Sequence, residues 1–108
     1  MSAEDEMRNA SNQFYAALNK MVNGTAQSLS DIWLHHSEVT TMHPIGGRQV
    51  GWKEVWATWD QTAQVASEGQ VKLKDQLIRV VGDMAYEIGV EDAGFRIAGQ
   101  QMILIHSY

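Results

Sequence analysis

Cysteine is absent from this 108-residue sequence, and proline occurs only once. Without cysteine the chain can form no disulfide, no zinc–thiolate site and no cysteine nucleophile. A hydrophobic fraction of 44% with so little proline is typical of a globular domain rather than of a disordered segment. The length suits one domain that buries its own core. The sequence therefore predicts a single domain over residues 1–108 that needs no cross-links.

Positive charge is also scarce, since eight lysine and arginine residues are scattered among 13 acids and the formal net charge is −5. Nucleic acids and anionic membranes bind clustered basic side chains, so we expect neither partner. No apolar run approaches the ~20 residues of a membrane span. The N-terminal segment of residues 2–6 contains three acids and lacks the basic and apolar regions of a signal peptide. We therefore expect a cytosolic protein.

Two helices are predicted in the first third of the chain. Ser2 and Asp5 have the spacing of a capping pair, and apolar residues recur at close to 3.6-residue intervals as far as Met21. Asn23-Gly24 is a typical end for this helix. A shorter helix is predicted over about Ala26 to His35, with its apolar residues on one side.

The stretch from residue 39 to residue 52 is the one around which we expect function to be organised. Val39, Thr41 and His43 alternate along a short strand, which Pro44 ends because it has no N–H to donate. Gly46-Gly47 then permits a sharp turn. Trp52 begins a third helix that reaches about Ala66 and carries an aromatic face. We expect His43 and Trp52 to converge at the mouth of a pocket.

The second half of the sequence predicts a meander of three long antiparallel strands. The first follows a break at residues 67–69, and one of its faces carries Val71, Leu73, Leu77 and Val81. Gly82-Asp83 and Ala98-Gly99 are the predicted hairpin turns, with Gly94 as a bulge or kink in the middle strand. The last strand, residues 100–108, stops without a polar terminus, which leaves either an unpaired edge or a missing continuation, and we expect the natural protein to continue. Helices followed by a meander predict an α+β fold with the helices on one face of a curved antiparallel sheet.

This order of elements resembles the nuclear transport factor 2-like superfamily, and within it the SnoaL-like and ketosteroid isomerase-like branch. The residues that carry the resemblance are Phe14-Tyr15-Ala16-Ala17-Leu18-Asn19, Asn23-Gly24, residues 39–47 and Gly51-Trp52. The resemblance implies a cone-shaped fold whose sheet wraps around the first helix and encloses an apolar cavity. Members include isomerases, dehydratases, polyketide cyclases and epoxide hydrolases, together with non-catalytic binding and association domains. Acid–base chemistry without a cofactor and a non-catalytic module are therefore both open.

Three residues are candidates for catalysis by this resemblance. The isomerase's general base precedes a proline at the end of the first strand, where this sequence has His43-Pro44. The family's oxyanion-donating tyrosine matches Phe14, which has no hydroxyl, and Tyr15 follows about 100° around the helix. Asp75 is an acid on the otherwise apolar face of the first long strand. Each has a structural alternative: a backbone hydrogen bond for His43, packing for Tyr15, and an ion pair with Arg79 for Asp75.

The candidate ligand-binding residues are the aromatic side chains and one further histidine that a cavity in this fold could expose. They are Phe14, Trp33, Trp52, Trp56, Trp59, Tyr86 and His106. Core packing is the simpler interpretation of the tryptophans, because they recur at helical spacing. The histidines lack the spacing of a metal site, and His35-His36 suits a helix end, so we expect no metal and no cofactor. The expected partner is a small apolar molecule.

A homodimer is also expected, through the outer face of the sheet. Along the first long strand, Lys72, Lys74 and Gln76 alternate with Ile78 and Val80. A small protein with a hollow centre gains stability when a second apolar surface is buried between two copies.

Overall fold

The computed structural model describes residues 2–42, 47–97 and 100–107, and only the backbone of residues 97 and 100–107. Within these ranges, helices precede an antiparallel sheet, which confirms the predicted α+β fold. The elements are α1 (Ala3–Met21), α2 (Gln27–Ile32), β1 (Thr40–Met42), β2 (Arg48–Val50), α3 (Trp52–Val65), β3 (Ala66–Val81), β4 (Met84–Ile97) and β5 (Gln100–Ser107).

Helix α1 begins and ends where its sequence predicts. The Ser2 hydroxyl accepts a hydrogen bond from the Asp5 amide at 3.1 Å, and the Asp5 carboxylate accepts one from the Ser2 amide. This capping box satisfies amides that have no partner inside the helix, and the acids of the first turn suit its dipole. The buried side of α1 includes Ala17, Leu18 and Met21.

The hydrophobic core lies between the helices and the inner face of the sheet. Leu29 of α2 and Val55 of α3 are completely buried, and Trp59 of α3 is 3% exposed. Val71 of β3 and Phe95 of β4 close the core from the sheet side. Burial of each such side chain contributes about 1.5–3 kcal/mol, so this core is the main stabilising feature of the fold.

Strands β1 and β2 form a hairpin that the sequence did not predict. Thr40 pairs with Val50 and Met42 pairs with Arg48. The sequence prediction was wrong here because β2 has only three residues and was interpreted as part of the turn into α3. Residues 43–46, which include His43, Pro44 and Gly46, lie outside the described residues.

The sheet is a meander in the order β3-β4-β5, with antiparallel pairing throughout. Gly82, at φ 58°, turns β3 into β4, which confirms the first predicted hairpin. The second predicted turn, Ala98-Gly99, lies outside the described residues. The predicted break at residues 67–69 is wrong, because these residues form a bulge inside β3 with Glu68 at φ 52°. Gly94 pairs regularly with Gln70. The bulge or kink predicted at Gly94 in β4 therefore lies in the facing strand β3, between Ser67 and Gln70.

A second bulge, between Lys74 and Leu77, reverses which β3 side chains face the helices. Asp75 takes up the extra residue at φ 53°. Before the bulge Val71 faces the core, whereas after it Ile78 does, at 7% exposure. Leu77 consequently lies on the outer face, opposite Ile88. The prediction that Val71, Leu73, Leu77 and Val81 share one face is therefore wrong.

The same bulge corrects the surface expected to form a dimer. Gln76 donates from Nε2 to the Ser11 hydroxyl of α1 at 3.3 Å, so its side chain lies on the helix side of the sheet. Ile78, two residues further along the strand, is buried on that side too. The outer face after the bulge is formed instead by Leu77, Arg79 and Val81, which alternate with the inward residues.

Candidate functional site

Six aromatic side chains from three segments form one contiguous group beside the core, which we call the aromatic cluster. Its members are Phe14, Tyr15, Trp33, Trp52, Trp56 and Trp59. Trp33 lies at its centre, since its ring is 5.4 Å from that of Phe14 and 4.9 Å from that of Trp59. The edge-to-face contact with Trp59, at 89°, is a favourable geometry for two aromatic rings. The structure therefore brings together five of the seven predicted ligand-binding residues.

The helix α3 supplies three members of this cluster because its tryptophans fall on one side of the helix. Trp52 and Trp56 are four residues apart, with ring centres at 5.8 Å, and Trp59 is 6.3 Å from Trp52. Gly51, at φ 88°, begins the helix, and its amide donates to the Val39 carbonyl at 2.7 Å. This bond holds the first turn of α3 against the segment that precedes β1.

The indole Nε1 of Trp33 is buried and has no hydrogen-bond partner within the described part of the chain. An indole N–H can only donate, and leaving such a donor unpaired away from water costs about 1–3 kcal/mol. Trp33 lies just after α2, where its backbone amide donates to the Leu29 carbonyl. Among the described residues, this indole is a buried donor of the cluster whose bonding capacity is unused.

His35 is a member of the site that the sequence did not predict. It was expected to end α2, but α2 ends at Ile32, and the His35 ring stacks on Trp52 at 4.1 Å and 11°. Its Nε2 lies 2.7 Å from the Ser30 carbonyl, which fixes the orientation of the ring. The stacking depends on the fold of residues 33–39 around α3, so no spacing in the sequence could have indicated it.

The predicted catalytic residues are not brought together within the described residues. Tyr15 lies in the aromatic cluster, 5.2 Å from Phe14. Asp75 is exposed on the bulge of β3 and forms no ion pair with Arg79, whose Nη1 donates to the Ile78 carbonyl instead. His43 lies outside the described residues. Their catalytic roles stay predictions.

The two remaining ligand-binding candidates belong to the sheet. Tyr86 is 44% exposed and lies opposite Arg79 on the outer face, away from the aromatic cluster. The backbone of His106 pairs with Glu91, and its side chain lies outside the described residues. Among the residues described, no three acidic or histidine side chains are grouped closely enough to hold a metal ion.

The outer face of the sheet has two chemically different halves. Beyond the Asp75 bulge it carries five partly exposed apolar side chains, which we call the apolar sheet face: Leu77 (38%), Val81 (60%), Met84 (62%), Tyr86 (44%) and Ile88 (44%). Register places Leu77 opposite Ile88 and Val81 opposite Met84, so the five are neighbours across β3 and β4. Such a surface is typical of a site covered by another molecule.

The other half of the outer face is charged. Lys74 pairs with Asp92 at 2.7 Å, and Arg96 pairs with Glu68 at 2.6 Å. The hydrogen bond to Asp92 and the charge of that carboxylate raise the pKa of Lys74 above its usual 10.5. These side chains line an open groove of about 570 Å³. Lys72 lines the groove as well, and the two ion pairs connect the other four of its charged side chains, so this half resembles an ordinary solvated surface.

Comparison with known proteins supports the fold and not a reaction. No protein-family model and no curated protein matches the sequence. Two solved structures are similar to it. The S. rosetta CaMKII hub superposes with a TM-score of 0.73 at 14% identity, over 99% of this chain and 79% of that one. A putative calcium/calmodulin-dependent protein kinase type II association domain from Thiobacillus denitrificans superposes with a TM-score of 0.51 at 19% identity, over 93% and 91%.

The fold is nuclear transport factor 2-like. Both neighbours have this fold, with helices packed on an antiparallel sheet. The expected fold is therefore confirmed, whereas the enclosed apolar cavity and the SnoaL-like and ketosteroid isomerase-like branch stay predictions. Within the described residues, no helix is long and apolar enough to cross a membrane.

Proposed function

We propose that this chain is an association module whose copies bind one another through the apolar sheet face. The observation that carries the proposal is the exposure of five large apolar side chains on adjacent strands of one face. Such contiguous apolar surface is uncommon on monomers and common at interfaces. Support also comes from the two structural neighbours, which are a hub and an association domain.

A second copy of the same chain suits this surface because the surface can be self-complementary. A two-fold axis through its centre would place Tyr86 and Ile88 of one copy against the same strand of the other. Arg79 lies opposite Tyr86 in the middle of this face, where its Nη1 donates to the Ile78 carbonyl at 3.0 Å. Arg79 is the one charged residue in this row of β3, so the contact has to keep its guanidinium hydrogen-bonded or open to water at the edge strand.

Sedimentation velocity over a micromolar concentration series tests the proposal. We expect a species of at least twice the 12.1 kDa mass of the chain. Met84→Lys, at a 62% exposed position of the apolar sheet face, should yield monomer. Leu34→Lys is the matched control, because Leu34 is 69% exposed but lies after α2. A monomeric wild-type chain, or equal effects of the two substitutions, would contradict the proposal.

A second function, binding of a small molecule, is favoured by the unpaired indole N–H of Trp33. A flat, apolar ligand that carries a carbonyl or carboxylate oxygen could lie among the rings of the aromatic cluster and accept that hydrogen bond. Acid–base catalysis by His43 and Tyr15 on such a ligand is the finer form of this proposal.

The aromatic cluster and the apolar sheet face can be separated as binding sites with a fluorescent probe. Anilinonaphthalene sulfonate combines aromatic rings with acceptor oxygens, and it also binds exposed apolar surfaces. If the cluster binds ligands, Trp33→Phe should reduce probe binding while Met84→Lys leaves most of it. The opposite pattern would place the probe on the apolar sheet face and would count against a ligand site at Trp33.

A further inference from the structure

The free edge of β3 is partly occupied by two asparagines, Asn19 in the last turn of α1 and Asn23 in the turn that follows the helix. β3 is an edge strand of the sheet, and edge strands offer unpaired backbone groups to any strand that approaches. Asn19 Oδ1 accepts from the Val71 amide at 2.8 Å, and Asn19 Nδ2 donates to the Val71 carbonyl at 2.9 Å. Asn23 makes the same two bonds with Gly69, at 2.9 and 2.8 Å.

The two asparagines reproduce the bonding of an added strand because the helical spacing is nearly kept into the turn after α1, where the Asn23 amide donates to the Lys20 carbonyl at 3.1 Å. Residues four apart on an α-helix rise by about 6 Å. Alternate residues of a strand are about 6.6 Å apart. Asn19 and Asn23 therefore reach Val71 and Gly69 in turn, and each bonds both the N–H and the C=O of its residue, as a neighbouring strand would.

Each asparagine amide is fixed in orientation by a third hydrogen bond. Asn19 Nδ2 also donates to the Tyr15 carbonyl at 2.8 Å, and Asn23 Nδ2 donates to the Asn19 carbonyl at 2.7 Å. These bonds use the carbonyls one helical turn earlier. The amides therefore face β3 in a defined way, with acceptor and donor matched to its backbone.

The close approach of α1 to this edge is also built into Gly69. A Cβ at Gly69 would lie 2.5 Å from Val22 Cγ2 and 2.7 Å from Phe95 Cβ. No other residue type fits there without a shift of its neighbours. The helix end and the strand are thus packed for direct contact of Asn23 with the Gly69 backbone.

We propose that Asn19 and Asn23 close this part of the β3 edge against strand addition by a second copy of the chain, and so direct self-association to the apolar sheet face. The second half of the proposal rests on the proposed function. The closing of the edge does not, because it follows from hydrogen bonds within one chain.

The test replaces both asparagines with leucine, which is similar in size and cannot hydrogen-bond. Asn12→Leu is the matched control, since Asn12 is exposed on the same helix. We expect the double variant, and not the control, to form assemblies larger than wild type with the infrared band of intermolecular β-sheet. In hydrogen exchange at low concentration, Asn19→Leu alone should speed exchange of the Val71 amide about five- to tenfold and leave Gly69 slow.

The outcomes separate the two proposals. A double variant that keeps the wild-type mass and shows no intermolecular β-sheet overturns the closing of the edge. Should the double variant not fold, Asn23→Leu at the helix end decides by the same two measurements. A monomeric wild-type chain whose double variant assembles supports the closed edge and overturns association through the face.

Discussion

Replacing Ile88 with alanine should weaken self-association about 30-fold and leave the fold intact. Ile88 is 44% exposed in the single chain and lies opposite Leu77 on the apolar sheet face. Full burial of an isoleucine side chain is worth about 1.5–3 kcal/mol, so covering the exposed part contributes about 1 kcal/mol. A symmetric contact loses this contribution once in each copy. The total of about 2 kcal/mol corresponds to roughly a 30-fold rise in Kd.

The assay is a concentration series by sedimentation velocity, fitted for the monomer–dimer Kd of wild type and variant. Leu34→Ala serves as the control, because it removes a similar apolar area from a 69% exposed position outside the proposed interface. Thermal unfolding at concentrations below the Kd should show little change for either variant. A Kd for Ile88→Ala within about threefold of wild type would refute the reasoning. A threefold change corresponds to a binding free energy of about 0.7 kcal/mol, well below the predicted loss of about 2 kcal/mol.

Three further predictions concern the fold that presents these surfaces. Asp75→Val should destabilise the chain by about 1–2 kcal/mol in urea unfolding, because φ is 53° there, whereas Asp75→Gly should be tolerated. Gly69→Ala should cost about 1–3 kcal/mol, because the new Cβ meets Val22 Cγ2 at 2.5 Å and Phe95 Cβ at 2.7 Å. Gly89→Ala should cost less, because its contact at 2.5 Å is the flexible end of the Leu73 side chain and the next, the Lys74 carbonyl oxygen, is at 3.1 Å. Trp59→Ala should cost about 3–5 kcal/mol, because Trp59 is 3% exposed; a loss below about 1 kcal/mol would exclude it from the core.

The helices could be predicted from the sequence because local chemistry determines them. Ser2 and Asp5 cap α1 through bonds between residues three apart, and the tryptophans of α3 recur at helical spacing. The three α3 members of the aromatic cluster followed from the same periodicity, whereas Phe14, Tyr15 and Trp33 meet them through tertiary packing. Its polar feature did not, since the unpaired Nε1 of Trp33 depends on what surrounds it in three dimensions.

The sequence shows the spacing of the two asparagines but not what their side chains bind. Asn19 and Asn23 are four residues apart, a spacing that places side chains on one side of a helix, although α1 ends at Met21. Nothing in the sequence indicates that this side meets β3, which is about 50 residues away. Asn23 was interpreted as part of a helix end, and the structure shows that its side chain also bonds the sheet.

The surface proposed for association could not be predicted from the sequence, because one extra residue in β3 reverses which side chains face the core and which face outward. An unbroken two-residue alternation would place Leu77 in the core with Val71, and Gln76 on the outside. Asp75 is the extra residue of the bulge, and its backbone is left-handed. Aspartate tolerates this conformation better than most residue types, but an aspartate in the sequence does not by itself predict a bulge. Gln76 then meets Ser11 of α1, and Leu77 is left exposed opposite Ile88. The division of the outer face into a charged half and an apolar half begins at this bulge, so a substitution that removed it would alter the association surface and the core together.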